Sequence, residues 1–82
     1  NPFNPTVNID FSIPEESDIN IKIFDLLGRN IFNHKQNFNA PGQYRFQWHG
    51  LHDSGTPIAS GVYLVTIQHK TNIFKQKITF LK

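Results

Sequence analysis

Residues 53–67, Asp-Ser-Gly-Thr-Pro-Ile-Ala-Ser-Gly-Val-Tyr-Leu-Val-Thr-Ile, decide the fold of this chain. The first part combines Asp-Ser-Gly with Thr-Pro. These residues supply side-chain bonds to the backbone, a position free to take positive φ, and a fixed φ, so a chain reversal is expected there. From Val62 to Ile67 every residue is β-branched, aromatic or leucine. This run predicts a central strand that is buried on both faces.

The stretch just before this turn predicts a second strand. Residues 43–48 alternate strictly, with Tyr44, Phe46 and Trp48 on one face and polar residues on the other. Two strands that meet at a long polar turn, with a tryptophan near the junction, are typical of the middle of a β-sandwich.

Working outward, the same alternation predicts strands over residues 7–13, 19–24, 30–35 and 73–81. A seventh strand is expected either in the loop before Tyr44 or around residues 57–59. The fold class is therefore all-β, an immunoglobulin-like β-sandwich of about seven antiparallel strands in two sheets. Residues 1–6, rich in proline, are expected to end a linker, and residues 7–82 to form one domain. The predicted core consists of Phe11, Ile21, Ile23, Phe46, Trp48, Val62, Leu64 and Phe80.

Composition limits the classes of function. The 82 residues include eight Phe, one Trp and two Tyr, and each buried aromatic side chain removes about 150 to 250 Å² from water. The chain has no Cys, which excludes disulfides and thiolate metal sites. A net charge of +2, spread along the sequence, is too small for a nucleic-acid partner. No apolar run approaches the roughly 20 residues of a transmembrane segment.

The sequence begins at Asn1-Pro2 without methionine and without a signal peptide. We therefore expect the chain to be a piece of a longer polypeptide whose signal peptide lies upstream.

No catalytic or metal-binding pattern is recognisable. His49, His52 and Asp53 form one cluster of possible metal ligands, but all three sit on a single turn, whereas a zinc site needs ligands on rigid elements. No serine has a histidine and an acid at a motif spacing, and the adjacent Glu15 and Glu16 do not have the arrangement of a glycosidase pair. We expect no enzymatic activity and no cofactor, with His34 and His69 facing solvent.

Some apolar and basic residues allow two interpretations. Phe24, Phe32 and Phe38 could form an exposed row that binds carbohydrate, although core packing is favoured. Leu26 and Leu27 either plug the end of the sandwich, which is favoured, or form a docking knob for a partner. Lysines on the last predicted strand either protect an edge from aggregation or orient a partner that adds a strand there.

Several motifs together resemble a known family. They are Asn-Pro-Phe-Asn-Pro-Thr at residues 1–6, Phe-Ser-Ile-Pro at 11–14, Ile-Lys-Ile-Phe-Asp-Leu-Leu-Gly-Arg at 21–29, Trp-His-Gly at 48–50 and the stretch 53–64, followed by a final strand that ends at Lys82. In this order they resemble the C-terminal sorting domain of proteins exported by the type IX (Por) secretion system of Bacteroidetes. The immunoglobulin-like domain of the flagellar hook-capping protein is closely similar. His49 and His52 depart from the family, which commonly has acidic residues there.

The resemblance implies a non-catalytic sorting and anchoring domain of a larger exported protein, destined for the cell surface or outside by way of the periplasm. Its implied partners are the outer-membrane translocon, its shuttle, a sortase-like peptidase that removes the domain, and the upstream cargo domains. The alternatives are a structural assembly module of the hook-capping type and an accessory carbohydrate-binding domain of a secreted enzyme. The residues expected to take part in partner recognition are Asp25, Gly28, Arg29, Gly61, Tyr63, Lys75, Lys77 and Lys82.

Overall fold

The computed structural model describes residues 6–82, which form six β-strands. The predicted linker therefore lies, apart from Thr6, outside the described residues. The strands are β1 (Val7–Ile13), β2 (Ser17–Phe24), β3 (Asn30–Phe38), β4 (Gly42–Trp48), β5 (Gly61–His69) and β6 (Asn72–Phe80). All strand pairs are antiparallel. The prediction of an all-β fold with two antiparallel sheets is confirmed.

The strands form one narrow and one wide sheet. β1 and β4 form the two-stranded narrow sheet, whereas the wide sheet has the order β3-β2-β5-β6. The isoleucines of β2 explain its central place, because Ile19, Ile21 and Ile23 alternate with polar residues and are each at most 1% exposed. The narrow sheet packs over the wide one and encloses the core between them.

The expected seventh strand is absent from the described residues. The segment before Tyr44 is shared between β3, which runs to Phe38, and a short turn. Around residues 57–59 there is only an isolated bridge between Leu51 and Pro57. Proline has no backbone N–H to donate to a ladder, so this segment stays a loop.

Trp48 forms the centre of the core at 1% exposure. Its ring centroid lies 5.6 Å from that of Phe80 and 5.8 Å from that of Tyr63. Of the predicted core residues, Ile21, Ile23, Trp48 and Phe80 are buried, while Phe11 and Phe46 are half-buried and pack against the buried cluster. Trp48, which belongs to the narrow sheet, thus links the two sheets by packing on rings of the wide sheet.

The prediction that β5 is buried on both faces is wrong. Tyr63, Val65 and Ile67 face the core and are buried, but Val62 and Leu64 are half-buried on the outer face and lie outside the core. The narrow sheet covers only one side of the wide sheet, so none of the described strands packs as a second layer on the side of Val62 and Leu64. Their apolar character therefore has to be explained by something other than the core.

Two histidines are also placed differently from the expectation. His69 is 5% exposed, on the core-facing side of β5. His34 is half-buried and stacks on Phe46 with a centroid separation of 4.7 Å. Both lie at strand positions whose parity directs the side chain inward, so neither faces solvent fully.

The long loop between β4 and β5 folds back onto the protein. The Asp53 N–H donates to the Ile31 carbonyl at 3.1 Å. The Asn33 N–H and side-chain amide donate to the two Asp53 carboxylate oxygens, each at 2.9 Å. The loop is also tied to the core, because the Trp48 indole N–H donates to the Leu51 carbonyl at 3.1 Å and Ile58 is buried. It thereby covers part of the free edge of β3 and closes one end of the core.

Candidate functional site

The described residues offer little material for catalysis or metal binding. Within residues 6–82, no group of three or more His, Cys, Asp or Glu side chains is placed to hold a metal ion. His49 points instead toward Thr6, with Nδ1 and the hydroxyl oxygen 3.5 Å apart. Over the same residues, no helix has the length and apolar character needed to span a membrane.

The turn between β2 and β3 is held rigidly by Asp25. One carboxylate oxygen, Oδ1, accepts the N–H groups of Leu27 and Arg29, both at 2.9 Å. The other, Oδ2, accepts the Arg29 Nε at 2.7 Å. The Gly28 N–H donates to the Asp25 carbonyl at 3.0 Å, and Gly28 has a φ of 84° that favours glycine. Asp25, Gly28 and Arg29 therefore act as positioning residues that fix the shape of the turn.

This rigid turn presents two leucines to solvent. Leu26 is 72% exposed and Leu27 is 79% exposed. The favoured interpretation of these leucines as a plug over the sandwich is wrong, because both residues lie mostly in solvent instead of packing on the core. A turn fixed by several hydrogen bonds that displays two leucines fits the docking interpretation.

A groove on the outer face of the wide sheet begins at this turn. Phe24 lies opposite Leu64, which lies opposite Lys77, and in the next row Thr66 lies opposite Lys75. The groove has a volume of about 450 Å³. The residues that line it are Phe24, Asp25, Leu26, Gly28, Tyr63, Leu64, Thr66, Lys75 and Lys77. It combines an apolar floor with lysines on the β6 side.

Two of the charged side chains that line the groove form no ion pair within the described residues. Within the described part of the chain the ion pairs are Arg29 with Asp25, Arg45 with Asp10, and Lys70 with Glu15. Lys75 and Lys77 take part in none of them, so both remain available to an acidic partner. Asp25 is committed to the turn. Desolvation acts to raise the pKa of its carboxyl, but hydrogen bonds from Arg29 and Leu27 outweigh it and lower the pKa below its ordinary value of 3.8.

The structure brings together most of the residues expected to recognise a partner. Asp25, Gly28, Tyr63, Lys75 and Lys77 line the groove, and Arg29 lies in the same turn. Gly61 and Lys82 do not line it. Gly61 begins β5 opposite Phe80, and Lys82 donates its backbone N–H to the Ser60 hydroxyl at 3.0 Å.

Tyr63 contributes to the groove mainly as part of the core beneath it. The residue is 7% exposed, and its ring packs edge-on against Trp48. The hydroxyl donates to the Ala59 carbonyl at 2.7 Å. Burial, with a smaller contribution from the negative charge of Asp25, raises the pKa of Tyr63 above its ordinary value of 10.0. Its phenol is thus already bonded within the chain.

Reasoning from the sequence missed the apolar residues of the groove. From the sequence, Phe24 interrupts the polar face of its strand and is interpreted as a core residue or as part of a carbohydrate-binding row, and Leu64 is assigned to the core. The signal for Phe24 was that interruption of the alternation in β2. For Leu64 there was no such signal, because the whole of residues 62–67 is apolar or β-branched.

Residues 1–80 match the model of a protein family, the Por secretion tail, which is described as a secretion system C-terminal sorting domain. The chain belongs to this sorting-domain family. The match covers the turn, the groove and the core described above. No curated protein sequence matches the chain.

Solved structures show that the sorting domain shares its fold with flagellar proteins. FlgD from Xanthomonas campestris, described as capping the hook in flagellar assembly, matches with a TM-score of 0.75 and 22% identity over 94% of the chain. FlgD from P. aeruginosa matches with a TM-score of 0.74 and 22% identity over 93% of the chain. The sorting domain spans 56% and 60% of those two chains. At this identity the likeness establishes the immunoglobulin-like fold alone.

Proposed function

We propose that this chain is a non-catalytic sorting domain that directs a larger exported protein through the type IX secretion system to the cell surface or outside, by way of the periplasm. The observation that carries the proposal is the family match over residues 1–80. On this proposal the outer-membrane translocon and its shuttle recognise the folded domain. A sortase-like peptidase then removes it from the upstream cargo domains.

The surface we propose for recognition is the turn at Asp25–Arg29 together with the adjoining groove. Leu26 and Leu27 are well suited to a partner's apolar pocket, since burying one leucine side chain gives about 1.5 to 3 kcal/mol. Lys75 and Lys77 favour acidic groups at the rim of that pocket. The turn needs no rearrangement on binding, because Asp25 already fixes it.

A reporter fusion tests the sorting role itself. Residues 1–82 are joined to the carboxyl end of a periplasmic fluorescent protein in a bacterium that has a type IX secretion system. We expect the fusion at the cell surface or in the medium. The unfused reporter and a fusion carrying Ile21→Asp, which places a charge in the core, should both stay in the periplasm. Periplasmic retention of the wild-type fusion, with the domain intact, would contradict the proposed function.

A further inference from the structure

In the described part of the chain, the sandwich has an open side where two sheet edges remain unpaired. Among the six described strands, β1 pairs only with β4, and β6 pairs only with β5. Between these edges lies a second groove, of about 370 Å³, lined by Asp10, Phe11 and Ser12 from β1, by Ile67 from β5, and by Phe74, Lys75 and Gln76 from β6. Free strand edges carry unused N–H and C=O groups that readily pair with another strand.

Phe74 marks this groove as incomplete. It has the same parity along β6 as Ile78 and Phe80, both of which are buried against the core. Phe74 itself is 56% exposed. The narrow sheet has two strands and the wide sheet four, so among residues 6–82 the first half of β6 has no second layer above its core-facing side. An apolar strand side chain in this groove would cover Phe74.

The lysines of β6 favour an acidic strand as the binding partner at this edge. A strand beside β6 would set its outward side chains against Lys75 and Lys77, which take part in no ion pair within residues 6–82. Pairing with the β6 of a second copy would bring lysines of the two copies together, which is unfavourable. An incoming strand with acidic residues at those positions gains attraction instead. The neighbouring acids do not oppose it, because Asp10 is paired with Arg45 and Glu15 with Lys70.

We infer that the groove between β1 and β6 is a strand-acceptor site for an extended peptide segment whose side chains alternate between apolar and acidic. The segment extends the wide sheet at the free edge of β6. Its apolar side chains cover Phe74 and Phe11, and its acidic side chains face Lys75 and Lys77. The inference rests on the proposed function in one respect, since the segment would belong to the export machinery, but the site itself is defined by the chain alone.

A synthetic peptide tests the site directly. The probe is an acetylated and amidated TVEVEVTV peptide, and the matched control is TVKVKVTV. By NMR titration of the labelled chain we expect the acidic peptide to bind with a dissociation constant below about 1 mM and the basic peptide at least about tenfold more weakly. Amide exchange should slow at alternate residues of β6, those whose N–H groups face away from β5. Absence of binding, or protection at the β3 edge instead, would overturn the inference.

Backbone pairing is separated from side-chain attraction by N-methylation. Two versions of the acidic peptide carry N-methyl groups on alternate residues, one version for each edge of the peptide strand. The version whose pairing edge is methylated should lose binding, while the other should retain it, because only one edge pairs with β6. Equal affinity of both versions would rule out strand addition.

Two neighbouring residues of the chain give a matched pair of variants. Phe74 and Ile73 are exposed to 56% and 54%, but they face opposite sides of β6. Phe74→Ser should weaken the acidic peptide about tenfold, since it removes an apolar contact under the new strand, and Ile73→Ser should leave the affinity nearly unchanged. Equal effects would overturn the site.

A chain that exports the reporter but binds no acidic peptide would refute this inference alone, and a chain that binds the peptide but fails to export would refute the sorting role alone.

Discussion

Two turns at the same end of the molecule use the same local chemistry for opposite purposes. In the turn at Asp25–Arg29 an aspartate accepts backbone N–H groups and fixes a tip that exposes Leu26 and Leu27. In the loop over residues 49–60 an aspartate, Asp53, also accepts a backbone N–H, but from another strand, and the loop buries Ile58. The turn at residues 25–29 displays apolar side chains and is called the displaying turn. The loop at residues 49–60 encloses apolar side chains and is called the enclosing loop.

We expect the enclosing loop to contribute to stability and the displaying turn to contribute to recognition. The enclosing loop closes the core and covers the free edge of β3, so its residues should carry large folding energies. The displaying turn contributes two exposed leucines that add little to the fold. An apolar residue kept in solvent by a rigid turn is more simply explained by a binding role than by packing. Substitutions in the two segments should therefore change different measured quantities.

The largest expected effect breaks the enclosing loop at its anchor. Trp48→Ala removes the ring that packs on Phe80 and Tyr63 and also the donor to the Leu51 carbonyl. We expect the free energy of unfolding to fall by about 3 to 5 kcal/mol. Urea denaturation followed by circular dichroism measures this loss. A loss below about 1 kcal/mol, the usual scale of a surface change, would mean that the loop is not tied to the core in this way.

Two glycines with positive φ, one in each segment, allow the packing of the two segments to be compared. Gly50 in the enclosing loop has a φ of 73°, and a Cβ there would overlap the ring of Phe80. Gly28 in the displaying turn has a φ of 84°, but a Cβ there would have no neighbouring atom of the described residues within 4 Å. Gly50→Ala should cost at least about 2 kcal/mol of unfolding free energy from strain and overlap together, and Gly28→Ala about 1 kcal/mol from strain alone. Equal losses in thermal and urea unfolding would argue against the tight packing of the loop.

A smaller effect is expected for the loss of folding stability at low pH, to which Asp25 of the displaying turn contributes. The pKa of Asp25 lies below 3.8 in the folded chain, so its ionised form stabilises the fold at neutral pH. That contribution is lost as the pH falls below about 4 and through the folded pKa. Asp25→Asn should therefore lose less stability between pH 7 and pH 3 than the wild type, and Glu16→Gln serves as the control for a lost charge. Identical acid sensitivity of the wild type and Asp25→Asn, measured by urea unfolding, would deny Asp25 its role in the turn.

Much of the fold follows from the sequence because alternation is a local property. The isoleucines of β2 and the aromatic residues of β4 specify which side faces the core, and the two-sheet arrangement follows from them. The turn residues Asp25, Gly28 and Arg29 are also recognisable locally. The seventh strand was wrongly expected because turn signals alone do not show whether a short segment such as residues 57–59 finds a pairing partner.

The groove could not be predicted because it depends on which strand faces are covered. Val62 and Leu64 are as apolar as their buried neighbours, and only the two-sheet arrangement, with the β1-β4 sheet on the opposite side of the wide sheet, reveals that the described residues form no second layer over their face. The exposure of Leu26 and Leu27 likewise depends on where the core lies relative to the turn. These are tertiary facts with no local signature.

The most direct test of the account combines export and stability for the double substitution Leu26→Ser/Leu27→Ser in the reporter fusion. We expect the free energy of unfolding of the chain to change by less than about 0.5 kcal/mol, as for exposed positions, while most of the reporter remains in the periplasm. Ile73→Ser, an exposed apolar residue outside the turn, should be exported like the wild type. Export of the double variant at the wild-type level would contradict the claim that this turn is displayed for recognition.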